Sequence, residues 1–155
     1  MKKLMLAVSA FVALVAATPG YAQFTGPTVI DQVRNDFSRQ ERYSVEKSKG
    51  TIVLRDASTG EELFTLSEVD AQTVTLSSVI AKLDHLSPER KYEVLQRIAF
   101  FNFSSPVGTL GYDNSTGTVT MEHHLNPRQV SASSIATVAV RFGDVARAEA
   151  HSLVQ

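Results

Sequence analysis

The side chains in this sequence with the best claim to chemistry are Glu122, His123 and His124, because histidine is the commonest metal ligand and a carboxylate beside it could complete part of a site. Their spacing works against them. In an extended strand, neighbours point to opposite faces, so His123 and His124 cannot readily share a metal, while Glu122 and His124 share a face and supply only two ligands. A zinc site needs three or four, and no cysteine, third histidine or acidic cluster stands at matching spacing. Glu61 and Glu62 are adjacent carboxylates after a turn, also split between faces, and a solvated strand start explains them better than paired acid and base work does. None of the serines lies in a G-x-S-x-G elbow, and the run Ser104, Ser105, Pro106 reads as helix termination. Gly108 and Gly111 are too few for a phosphate cradle, and no helix begins directly after them. Asn102, on an apolar helical stripe, reads as an amide that satisfies backbone at a helix-to-loop corner. No catalytic, cofactor-binding or metal-ligating residue is therefore assigned.

The elements that carry these residues are clearer than the chemistry. Of the 155 residues, the first 22 read as a secretory signal: Lys2 and Lys3, then an apolar run over 4–17 interrupted only by Ser9, then Gly20 and Ala22 at the small positions before a cut. That run is short for a membrane span, which needs about 20 residues. Cleavage after Ala22 would leave 133 residues, read as one α+β domain over 23–155 and long enough to bury a sizeable core. Losing Lys2 and Lys3 takes fifteen basic residues to thirteen against sixteen acidic, a net charge of −3. So mild an acidic balance leaves no electrostatic footprint for nucleic acid. With no cysteine there is neither a disulfide framework nor a lipidated leading cysteine. A leader of this kind on a cysteine-free chain points to a bacterial periplasm or exterior, where Asn102 with Ser104 and Asn114 with Thr116 are chance glycosylation matches.

After Phe24 and the Gly26, Pro27 pair, the spacing of Val29, Ile30, Val33 and Phe37 predicts a helix ending near Arg39. Alternation then predicts strands over 43–47, 51–55 and 62–67, with turn chemistry over 56–60, and a fourth extended piece over 73–77. Residues 79–86 fit no single period and read as loop. Ser87 as cap, Pro88 at the first position and Glu89 at the positive end of the dipole open a helix over 88–102. Leu95, Ile98, Ala99 and Asn102 share one side of it and Val94 and Phe101 its flank. With Phe100, Phe101 and Phe103 making its end aromatic all round, it is expected to lie in a groove and to form the core. A hairpin follows, with Leu110 and Tyr112 in one arm, a turn over 114–117, and Val119, Met121, His123 and Leu125 in the other. The last helix, capped by Ser131 or Ser133, runs about five turns through Ile135, Val138, Ala139, Phe142, Val145, Ala146 and Glu149. Gly143 is its weak point, at about 1 kcal/mol against alanine. The order predicts an α+β fold, an antiparallel sheet with helices packed on one face, α-β-β-β-(β)-α-β-β-α.

The stretch from Val94 to His124, with Ile98, Ala99, Phe101 and Asn102 closing a helix and Gly108, Leu110, Tyr112, Asp113, Gly117, Val119 and Met121 in the hairpin, resembles the bacterial YbjN-type sensory transduction regulators. Those proteins are similar in fold to type III secretion chaperones. The resemblance implies a helix, three strands, a helix, two strands and a helix, and a binding or regulatory module for which a homodimer is one expectation. It carries no catalytic residues across. The expectation is thus a non-catalytic exported module that binds a protein or peptide. The alternatives are a small envelope hydrolase or metal-dependent enzyme, and an envelope component acting by self-association. For a homodimer the sequence offers thinly protected strand edges and the alanines of the last helix, Ala132, Ala136, Ala139, Ala146, Ala148 and Ala150.

Overall fold

The computed structural model describes residues 28–48, 50–70 and 72–154, so the leader over 1–22 and the opening at Phe24 to Pro27 lie outside the described residues. Nine elements follow in the order α1 (Val29–Ser38), β1 (Tyr43–Ser48), β2 (Thr51–Asp56), β3 (Glu62–Asp70), β4 (Thr73–Lys82), α2 (Pro88–Ser104), β5 (Thr109–Asp113), β6 (Thr118–Leu125) and α3 (Ala132–Val154). The fold is α+β. All six strands pair antiparallel in one open sheet, ordered β1-β2-β3-β4-β6-β5, so the fourth strand is a full member and carries the last hairpin beside it.

The helices start where local chemistry lets them. The Thr28 hydroxyl accepts from the Asp31 amide at the start of α1, Ser87 accepts from the Arg90 amide at the start of α2, and Ser131, not Ser133, accepts from the Ser134 amide before α3. In α1 the buried set is Ile30, Val33 and Phe37, one face of a 3.6-residue period. The sheet turns Ile52, Leu54, Phe64, Leu66, Val74, Leu76, Val119 and Met121 toward the helices and leaves Thr65, Ser67, Thr75, Ser77 and Thr120 on its open side. Rings hold the layers together. Phe64 of β3 meets Phe37 of α1 at 6.0 Å and Phe142 of α3 at 6.2 Å between centroids, edge to face in both cases, and Tyr43 meets Phe37 at 5.3 Å.

One expectation needs correction and another gains a packing reason. Residues 79–82 are strand, because β4 runs ten residues to Lys82 and pairs with β6 to its end. A bulge between Val79 and Ala81 inserts Ile80, which leaves Ile80 and Ala81 both buried in succession and destroys the alternation that would have marked a strand. Only the residues after Lys82 form the connection, and even there Leu83 is buried and its amide donates to the Gly117 carbonyl at 2.7 Å. Gly143, expected as the weak point of the last helix, is where α3 presses on the sheet. A Cβ there would stand 3.3 Å from Phe64 Cδ1, so the missing side chain admits the ring.

Candidate binding surface

Of the residues singled out for chemistry, Glu122 and His124 do share the open sheet face. His124 Nε2 lies 3.8 Å from Glu122 Oε2, and its Nδ1 lies 2.9 Å from the Thr75 hydroxyl of the next strand. Among the described residues no group of three or more histidines, cysteines or acids is placed to hold a metal. Glu61 and Glu62 part company as expected of neighbours, Glu62 pairing with Arg55 at 3.1 Å and Glu61 facing Arg147 of α3 at 3.7 Å, where Asp56 also reaches it. His123 is different. It sits on the helix side of β6, half-buried, with its Nδ1 accepting the Gly108 amide hydrogen at 3.2 Å. Burial first, and the neighbouring His124 second, hold its pKa below that of an exposed histidine.

Among the described residues the surface that stands out is α2. Its buried residues are Val94 and Ile98, with Phe101 half-buried against the same core. Leu95 and Ala99, expected inward, are exposed, and so are the aromatics on either side of Phe101: Phe100 is 73% exposed and Phe103 90%. The expected aromatic core at this helix end is thus an aromatic surface. Tyr92, Leu95, Ala99 and Phe103 recur at spacings of three and four and form a second apolar stripe, turned to solvent.

The turn of the helix is set at its C-terminal end. Asn102 Nδ2 donates to the Leu110 carbonyl at 2.8 Å, and Asn102 Oδ1 accepts from the Leu110 amide at 2.6 Å. The amide does satisfy backbone near the corner, as expected, but the backbone belongs to β5 across the connection. Since β5 is an edge strand with β6 on its other side, the carboxamide occupies the place where a further strand would bond. On the far flank of α2, a groove of about 520 Å³ runs against α3, lined by Glu93, Arg97, Phe100, Phe101, Glu149 and Ser152, with Arg97 donating to the Ser152 hydroxyl. The sequence signal for all this was the all-round apolarity of α2. Read as deep burial, it marks a helix with one stripe for the core and another for something else.

No protein-family model matches the chain, and no curated protein matches it. Among the described residues no helix is long and apolar enough to cross a membrane. Solved structures do match in shape. A chain of the HopA1–SchA chaperone–effector complex aligns with a TM-score of 0.50 at 15% identity, over 77% of this chain and 93% of that one. A chain of the complex between the Yersinia pestis type III secretion chaperone SycH and a stable fragment of YscM2 aligns over 74% of this chain and 93% of that one, at 14% identity and a TM-score of 0.39. At such identity the likeness is one of fold alone, shared with a chain of that chaperone–effector complex.

Proposed function

We propose that this chain is an exported, non-catalytic protein-binding module of the YbjN-like, regulatory type, working in the bacterial periplasm or outside the cell, and that its contact surface is the outer stripe of α2. The observation that carries the reading is Phe103, a phenylalanine on a well-formed helix with nine-tenths of its surface in solvent, in line with Tyr92, Leu95 and Ala99. Aromatic side chains clustered on a surface are what partner proteins bury, and isolated apolar residues on a monomer do not line up at helical spacing. A fold shared with a member of a chaperone–effector complex supports a protein as the occupant. Export rests on the leader read in residues 1–22.

Site-specific photocross-linking in an exporting bacterial host tests this. A photoreactive residue at position 103 or 92 of the full chain should give discrete protein adducts in the envelope fraction, and one at Val53 on the open sheet face should give none. Adducts at position 53 with none on α2 would overturn the reading.

A second reading, self-association, is favoured by the same stripe and disfavoured elsewhere. Ala136, Ala139 and Ala146 of α3 are buried in this chain's own core, so that helix has no free alanine face there, and Asn102 covers the β5 edge. Pairing of two copies through α2 is what its stripe favours, the β1 edge being the other surface a second copy could use. Light scattering on the processed protein should then show a concentration-dependent dimer that Phe103→Asp converts to a monomer, with a change in unfolding free energy within about 0.5 kcal/mol, as for a surface substitution. A monomer at every concentration in the unsubstituted protein ends this reading.

A further inference from the structure

The connection between α2 and β5, residues 105–108, is short and tightly held. Ser105 caps α2, its hydroxyl accepting the Val107 amide hydrogen and donating to the Val107 carbonyl, and Val107 is buried in the core. Gly108 then turns with φ of +73°, and its amide hydrogen goes to His123 Nδ1 at 3.2 Å. To accept that hydrogen, Nδ1 must be unprotonated, so the ring is neutral with its proton on Nε2. The last anchor of the connection is thus an imidazole nitrogen, an acceptor that protonation converts to a donor.

We infer that protonation of His123 is an acid-operated release: Nδ1 becomes a donor facing the Gly108 donor, the bond is lost, and the connection that fixes the C-terminal end of α2 loosens. The inference concerns regulation of the contact surface proposed above and rests on that reading for its biological sense, though not for its chemistry.

The surroundings of the ring favour the neutral form. Opposite His123 in the sheet lies Leu76 of β4; the connection offers Ser105 and Pro106, and β5 offers Thr109, none of which titrates. On β6 itself, Glu122 and His124 point to the other face, where they engage each other, and His124 adds repulsion when charged. Glu122 and His124 line the same hollow as His123, but the Glu122 carboxylate faces His124 and, among the described residues, no ion pair joins a carboxylate to the His123 ring. The sign follows from the lowered pKa. Above the ordinary histidine value, both folded and unfolded chains hold the ring neutral and the stabilisation is complete. As pH falls below about 6.5 the unfolded chain takes up the proton first, and the stabilisation drains away until the folded ring titrates too.

The test is made by NMR on the processed protein between about pH 7.5 and about pH 5. The Gly108 amide shift should titrate together with the His123 ring, and Gly108 protection from hydrogen exchange, corrected for the intrinsic pH dependence, should fall about tenfold. His123→Asn places an amide oxygen near the Nδ1 position and cannot titrate, so its Gly108 protection should be flat over the same range, while His124→Asn should behave as the parent. A Gly108 amide that ignores the His123 titration in the unsubstituted protein overturns the inference whether or not the variants fold, and so does a pH response that survives in His123→Asn. Cross-linking from position 103 at the two pH values reads the other link separately. If Gly108 responds to acid and the adducts do not, the release stands and the assignment of α2 as the regulated surface falls.

Discussion

Phe64→Ala should destabilise the protein by about 3 to 5 kcal/mol, a large share of the roughly 5 to 15 kcal/mol that holds a domain of this size together. Phe64 is 1% exposed and stands at the centre of the layered core, edge to face with Phe37 of α1 on one side and Phe142 of α3 on the other. Truncation removes both ring contacts and opens a void under Gly143, the one place where α3 has no side chain to fill it. Because the ring touches both helices, the structure cannot close over the gap without moving α1 and α3 together, which places the cost at the upper end of the range. Urea unfolding measures it, and a loss under about 1 kcal/mol would mean that the helices do not pack on β3 as described.

Gly108→Ala should cost about 2 to 4 kcal/mol, combining the penalty of a left-handed conformation for a residue with a Cβ and that of crowding a packed site. Gly108 has φ of +73°, and a Cβ there would fall 2.7 Å from Met121 Cε and 2.9 Å from the Glu122 carbonyl oxygen. The methionine tip can swing away. The carbonyl is part of β6 and cannot, so the strain must be taken up by the connection from α2. Denaturant titration reads the loss, and stability within about 0.5 kcal/mol of the parent would show a connection free to re-form around the methyl group.

How far such details could be read beforehand depended on whether the signal was local. The cap at Ser87, the inward period of α1 and the alternating hairpin are all visible in the sequence, because each depends on residues within a turn or two of one another, while the cap at Thr28 emerges only in the fold. The end of β4 was hidden because a bulge inserts one residue and cancels the very alternation that identifies a strand. On α2, apolar residues occur on so much of the circumference that periodicity cannot say which side is buried: it centres the inward side on Leu95, Ile98, Ala99 and Asn102 with Val94 and Phe101 as flank, whereas Val94, Ile98 and Phe101 are the inward set and Leu95 and Ala99 face out. In the sequence His123 reads as a solvated sheet-face histidine or a metal ligand, since its partner, the Gly108 amide, is fifteen residues away and adjacent only once the hairpin folds. The outer stripe of α2 was on the page as sequence, yet what makes it a candidate surface is its exposure, a property of the assembled protein.

The amide of Asn102 settles a choice that hydrophobicity leaves open. A helix carrying Val94, Ile98 and Phe101 on one side, and Tyr92, Leu95, Ala99 and Phe103 roughly 140° around at 100° per residue, could bury either set at similar gain. Rolling it over would break both bonds to Leu110 and leave the β5 edge open. One polar side chain thus acts as a key for the rotational setting of the helix, much as a single asparagine fixes register in a coiled coil, and it lets the sequence keep a sticky outer face without folding that face inward.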